Sequence, residues 1–262
     1  MKRSEMKLDE RCRQEDFWET NAAKVTRPTF LKWIYEKKAN QVIWAMKNKE
    51  SEIETMFFPT AEECKEKMLS LISPSETVSI PGTVTIRQMG LHTALKKRGN
   101  KVHDFWKPNI TVEERNIIRR SAFNSDVFLT SASAVTMQGE IFNIDGSGNR
   151  VSAMIFGPKR VFVVVGGNKL VRDIPQAVYM TKNYSAPLGN KERDETTNPC
   201  TKSGFCVDCR GVVRGCRVTV IIDTNRDGSR ITTFSLLERT WGFRKGGRGM
   251  GLARRQGFRV AD

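Results

Sequence analysis

Val161-Phe162-Val163-Val164-Val165 is an unbroken run of β-branched and aromatic residues, and it limits the fold more than any other segment. A strand with one wet face alternates apolar and polar residues. A run this continuous belongs to a strand covered on both sides, as in a parallel sheet between two helix layers. The preceding segments have a matching rhythm. Leu31, Ile34, Val42, Ile43 and Met46 fall at helical spacing over residues 28–48, with Trp33 and Trp44 read as packing residues. Residues 55–58 read as a strand, Thr60-Ala61-Glu62-Glu63 as a capping box that opens a helix through Leu71, and residues 77–80 as the next strand. A helix over 84–97, a strand over 102–105, a second capping box at Thr111 and Glu114, a strand over 126–130 and a helix over 174–183 continue the pattern. The expected class is α/β, with a central, mostly parallel sheet between helix layers.

Four cysteines fall within seventeen residues near the C-terminus, as Cys200-x5-Cys206-x2-Cys209-x6-Cys216. Each spacer is of loop length, so the sulfurs can converge on one point. Disulfides are disfavoured. The densely charged N-terminus lacks the apolar core of a secretory signal, and no stretch approaches the roughly 20 apolar residues that span a bilayer. A cytoplasmic location is expected, where clustered cysteines more often hold metal. The spacing fits neither a zinc ribbon, with two short pairs, nor a ferredoxin run. Lys202, Arg210, Arg214 and Arg217 lie among the cysteines and would offset thiolate charge for either metal.

Candidate ligand-binding residues follow the strands, since open α/β sheets bind ligands beyond the carboxyl ends of their strands. Gly82 and Thr83, in the turn from the 77–80 strand into the next helix, offer backbone N–H groups and a hydroxyl to an anion. Ser131, after the 126–130 strand, and the polar set Asn143, Asp145, Asn149 and Arg150 around Gly146 and Gly148 could gather about a small acid. Lys169, directly after the apolar run, could pair with a carboxylate or phosphate. Expected ligands are a small organic acid or a phosphorylated metabolite.

Other signals carry less. His92 and His103 have no nucleophile at a recognisable spacing and read as packed or solvated residues. Asp223-x-Asn225-x-Asp227-Gly228 copies half of a calcium loop, but Phe234 stands where the twelfth-position glutamate belongs. It reads as a polar hairpin turn between strands over 217–222 and 231–237. The net charge of +15 invites a nucleic-acid reading, yet much of the excess lies in the Gly-rich tail after Arg239, which reads as a solvated extension. Nucleic acid is not an expected partner.

Several of these segments together resemble the LUD (lactate-utilisation) domain family. They are Thr130-Ser131-Ala132-Ser133-Ala134-Val135-Thr136, Gly139-Glu140, the run from Asn143 to Arg150, Gly157-Pro158-Lys159, Gly166-Gly167-Asn168-Lys169, Ala186-Pro187 and the cysteine segment from Pro199 to Cys216. The resemblance covers residues 29–243 and implies a fold like that of the sugar-phosphate isomerase and CoA-transferase superfamily. It also implies a link to oxidation of L-lactate to pyruvate within an iron–sulfur-containing complex, with an electron-transfer protein as partner. That context favours a four-iron four-sulfur cluster over zinc on Cys200, Cys206, Cys209 and Cys216. The separate ferredoxin-like motifs of larger members are absent, so a stand-alone LUD protein is expected, with an extension over 1–27, the domain over 28–243 and a basic tail over 244–262. Pro81 departs from the family's glycine-richer loop and removes a donor from it. The competing expectation is a non-catalytic metabolite- or RNA-binding protein with a zinc knuckle.

Overall fold

The structure is a computed structural model, and it describes residues 27–107, 109–192, 197–225 and 231–237. The expected extension and tail therefore lie outside the described residues, apart from Arg27. In chain order the elements are α1 (Arg27–Asn48), β1 (Thr55–Phe58), α2 (Ala61–Leu71), β2 (Val78–Ile80), α3 (Val84–Gln88), α4 (Leu91–Lys97), β3 (Val102–Asp104) and α5 (Val112–Ser121). Then come β4 (Val127–Thr130), β5 (Ala134–Thr136), β6 (Ile141–Asp145), α6 (Asn149–Ile155), β7 (Arg160–Gly166), β8 (Leu170–Val171) and α7 (Ile174–Met180). A π-helical turn (Thr181–Ser185), α8 (Ala186–Glu192), α9 (Cys200–Ser203), β9 (Val218–Ile222) and β10 (Ile231–Leu237) complete the described chain.

The larger sheet has the order β1-β10-β7-β4-β2-β3, and every pair in it is parallel. Its centre is the apolar run. Val161, Val163 and Val165 point into a core with Ala39, Val42 and Met46 of α1, while Phe162 and Val164 point into a second core with Met68 of α2 and Leu91 and Leu95 of α4. Successive strand side chains leave by opposite faces, so a strand buried twice needs both faces apolar. Cys64 belongs to the second core and is fully buried.

A smaller sheet, β8-β5-β6-β9, stands beside the first. Here β6 pairs antiparallel with both β5 and β9, and β5 pairs parallel with β8. β9 and β10 thus belong to different sheets, so the expected hairpin at Asp223 is instead a crossover between sheets. Asp223 accepts from Lys49 Nζ at 2.6 Å.

The start signals hold. Thr111 and Glu114 form a reciprocal capping box, and Thr60 Oγ1 accepts from Glu63 N. The expected helix over 84–97 is broken at Gly90, whose φ of +69° ends α3 and starts α4. Trp33 and Trp44 are 55% and 62% exposed, contrary to the packing reading. The buried stripe of α1 runs through Ala39, Val42, Ala45 and Met46, and both indoles stand outside it.

Candidate functional site

Three neighbouring strands, β7, β4 and β2, point their carboxyl ends at one edge of the large sheet. The loops that follow them carry Gly166-Gly167-Asn168-Lys169, Ser131-Ala132-Ser133 and Pro81-Gly82-Thr83 respectively. A cavity of about 320 Å³ opens beside the first two. Ser133 lines it from the β4–β5 connection and Ala134 from the start of β5, Asn168, Lys169 and Val171 from the segment after β7, and Met180, Tyr184 and Ser185 from the end of α7 and the π turn.

Lys169 is the charged group of this cavity. Its Nζ donates to Ser185 Oγ at 3.1 Å. Burial, helped by the Arg150 guanidinium and opposed by Glu192, lowers its pKa to about 8. An ammonium so placed gains from an anion beside it, because a carboxylate would offset both the lost hydration and the Arg150 repulsion.

The other sequence-derived candidates have different surroundings. Asn143 is fully buried; its Oδ1 accepts from Ser133 N at 3.1 Å and its Nδ2 lies 3.5 Å from Met154 Sδ. Asp145 accepts from the backbone N–H groups of Gly146, Arg150 and Val151 at 2.8, 3.0 and 3.3 Å. It caps the start of α6, which Asn149 opens. Arg150 donates to Ile144 O at 2.7 Å. Ser131 is buried, its hydroxyl 3.4 Å from Ala132 O. Gly82 lies under the Trp106 ring, and Thr83 is buried with no partner for its hydroxyl among the described residues. Arg150 thus lies close enough to repel the Lys169 ammonium, while Asp145 spends its carboxylate on nearby backbone N–H groups and Asn143 its amide on Ser133 N and Met154 Sδ.

The Asp145-Gly146 turn has a second task. A Cβ on Gly146 would stand 2.9 Å from Gly215 O, so the missing side chain lets the cysteine segment close against the turn. Arg217 N then donates to Asp145 O at 3.0 Å.

All four clustered cysteines, Cys200, Cys206, Cys209 and Cys216, line one small cavity of about 20 Å³, together with Lys182, Asn190, Asn198 and Arg214. All four are free thiols, each half-buried. Asn190 Nδ2 donates to Cys200 Sγ and Asp208 N to Cys206 Sγ, both at 3.4 Å. Burial, then the neighbouring Cys206, Cys200 and Cys209, pushes the Cys216 thiol up, against a smaller opposing effect of Lys182. Arg214 donates to Cys209 O, Cys216 O and Asp208 Oδ1 at 2.7–2.9 Å and so ties the loop into one piece. The donor chemistry suits a thiolate-bound metal: four sulfurs, N–H groups aimed at two of them, and two cations in the wall. Among the described residues, no three His, Cys, Asp or Glu side chains form a ready-made ion-holding group, so a bound ion would draw the sulfurs inward.

The two cavities share a wall. Met180, Tyr184 and Ser185 face the Lys169 cavity, while Lys182, Ala186 and Asn190 face the cysteines. Cys206 N also donates to Asn183 Oδ1 at 3.1 Å. The wall is the π-helical turn between α7 and α8, where Ala186 N reaches back to Thr181 O. Pro187 has no N–H for the carbonyl four residues back, and the helix widens just before it. Sequence reasoning missed this wall along with Asn190, Asn198 and Ser185; Ala186-Pro187 after an amphipathic helix was the available signal.

The histidines stay apart from both cavities. Burial and the Arg87 and Lys96 cations, against Asp104, lower the pKa of His92; burial and Lys101 lower that of His103.

No helix among the described residues is long and apolar enough to cross a membrane. The family model for the LUD domain matches residues 42–234. Among curated proteins none matches the chain. Among solved structures, a DUF162 family protein from Deinococcus radiodurans is similar at 12% identity with a TM-score of 0.42, over 79% of this chain and 97% of that one.

Proposed function

Because the chain belongs to the LUD-domain family, we propose that it is a cytoplasmic component of an iron–sulfur-linked oxidation of L-lactate or a similar small organic acid. On this reading Lys169 holds the acid's carboxylate, with Ser133 and Ser185 as hydroxyl partners and Arg150 adding positive potential. Cys200, Cys206, Cys209 and Cys216 hold the metal centre. Its sheet would then be a variant of the sugar-phosphate isomerase and CoA-transferase type.

The observation that carries this reading is the shared wall. The Lys169 cavity and the cysteine cavity are separated by one helical segment, Thr181–Ser185, running into α8, a thickness of about 10 Å. When bound, a four-iron four-sulfur cluster supplies a relay for single electrons. Oxidation of a hydroxy acid to an oxo acid releases two electrons and two protons, so an electron-transfer protein has to take up the electrons. Lys182 and Arg214 line the sulfur cavity and lower the energy of extra negative charge there. Lys169, with a pKa of about 8, binds the anion as an ammonium at neutral pH.

Metal analysis after anaerobic purification tests the proposal. The expected result is iron and acid-labile sulfide in similar amounts, with charge-transfer absorbance. A colourless protein without iron, even after reconstitution with iron and sulfide, overturns it. The second reading, a zinc knuckle in a non-catalytic metabolite- or RNA-binding protein, is favoured by the size of the sulfur cavity, since about 20 Å³ is room for one ion or one water. One equivalent of zinc with no iron would select that reading.

A further inference from the structure

The Lys169 cavity is larger than the acid that the family name suggests. It measures about 320 Å³, whereas L-lactate, at the roughly 30 Å³ that liquid water allots each molecule, fills at most about 180 Å³ with its six non-hydrogen atoms. The remaining space has apolar walls. Ala134 and Val171 contribute buried surface at the base, and Met180 adds a half-buried thioether side chain. Tyr184 stands at the rim, 58% exposed. An aromatic ring left in solvent at the edge of a cavity that holds a half-buried cation is suited to covering a flat apolar group.

Resting on the acid-binding reading above, we propose that the acid bound at Lys169 carries a flat apolar body, as an aryl-substituted hydroxy or oxo acid does, and that Tyr184 and Met180 cover that body. The carboxylate meets the Lys169 ammonium and the Ser185 and Ser133 hydroxyls, which with Asn168 form the polar part of the lining. The body lies against Val171 and Ala134, with Tyr184 as its outer face. A three-carbon acid satisfies the polar part alone and leaves the apolar wall wet.

Calorimetric titration of the full chain with 3-phenyllactate and with L-lactate tests this. The expected result is at least about tenfold tighter binding of phenyllactate, from burial of its ring. That preference should vanish in Tyr184→Ala and persist in Tyr184→Phe. Tyr184 is exposed, so neither substitution threatens the fold, and far-UV circular dichroism verifies this. L-Lactate binding as tightly as phenyllactate would overturn the size argument and leave the acid-binding reading intact. A preference that survives in Tyr184→Ala would overturn the role of the ring. If neither acid binds at millimolar concentration, the acid-binding reading fails and this inference fails with it.

Discussion

The Lys169 cavity and the cysteine cavity lie against the same helical turn, but they are held in place by different means. Lys169 follows β7, whose residues Val161–Val165 are all fully buried between two apolar cores. The cavity beside it is therefore preformed, in the way rigid strands present loops at their carboxyl ends. The cysteine segment has a four-residue helix and a short 3-10 turn as its regular structure. It is held by polar ties, chiefly Asn198 Nδ2 to Val213 O and the three Arg214 bonds, and by Cys216 packed on the small core of Phe142 and Ile144. Val207 and Val212 are exposed there, the latter at 91%. On the metal reading proposed above, a segment with so little apolar burial would gain much of its order from an ion or cluster on its sulfurs.

The largest expected effect breaks the two regions apart. If the cysteines hold the proposed metal, stripping it with a chelator should speed amide exchange across residues 198–217 by about a hundredfold or more, while residues 127–130 and 160–166 keep their protection. Hydrogen–deuterium exchange with mass spectrometry reads both regions at once. Uniform loosening of both would show that the cysteine segment is as much a part of the sheet's cooperative unit as β7.

Lys169→Met comes next. It should weaken acid binding by about a hundredfold, the range for losing one partner of a desolvated charge pair, without changing the metal content of the cysteine site. Loss of metal in the same variant would mean that the two cavities fold as one. A smaller effect follows from pH. The carboxylate stays ionised throughout the neutral range, so affinity should be level below about pH 7. It should fall by up to about tenfold per unit as Lys169 loses its proton above its value near 8. An affinity independent of pH between 7 and 10 excludes Lys169 as the anion's partner.

The smallest effect concerns the sheet alone. Asp126 accepts from Thr77 N and Oγ1 at 2.9 and 2.8 Å and from Lys159 Nζ at 2.6 Å, joining the chain at the starts of β2 and β4. Lys159, then Thr77, holds its carboxyl far below the usual range. Asp126→Asn should lower stability by about 1 kcal/mol at pH 7. A depressed carboxyl stabilises the fold above the unfolded-state value and loses that contribution as pH falls, so the gap between wild type and variant should shrink below about pH 4. Denaturant melts at pH 7 and pH 3 measure it.

The sheet was legible in the sequence because burial on both faces leaves a compositional trace, as at Val161–Val165, and because helix starts carry their own chemistry, as at Thr60 and Thr111. The crossover from β9 to β10 was not, since two strands joined by a polar turn look alike whether they pair with each other or enter different sheets. At the site, polarity was a poor guide to purpose. Asn143, Asp145 and Lys169 read alike as ligand candidates, yet Asp145 is spent on backbone N–H groups one, five and six residues on, and Asn143 on Ser133 N and Met154 Sδ. The gathering of the four cysteines was legible from spacing. Asn198 stands beside Cys200 in sequence, but Lys182 and Asn190 come from the helical wall, ten residues or more before the first cysteine, and leave no local signal.

Whether the proposed acid site and metal site work across one helical wall can be read from a single titration. The reconstituted, reduced protein is titrated with the acid while the electron paramagnetic resonance spectrum of its cysteine-bound centre is recorded. Acid binding should shift the spectrum in the wild type and leave it unchanged in Lys169→Met. A cysteine-bound iron centre whose spectrum ignores saturating acid, or a site that takes up zinc alone, would contradict the proposal.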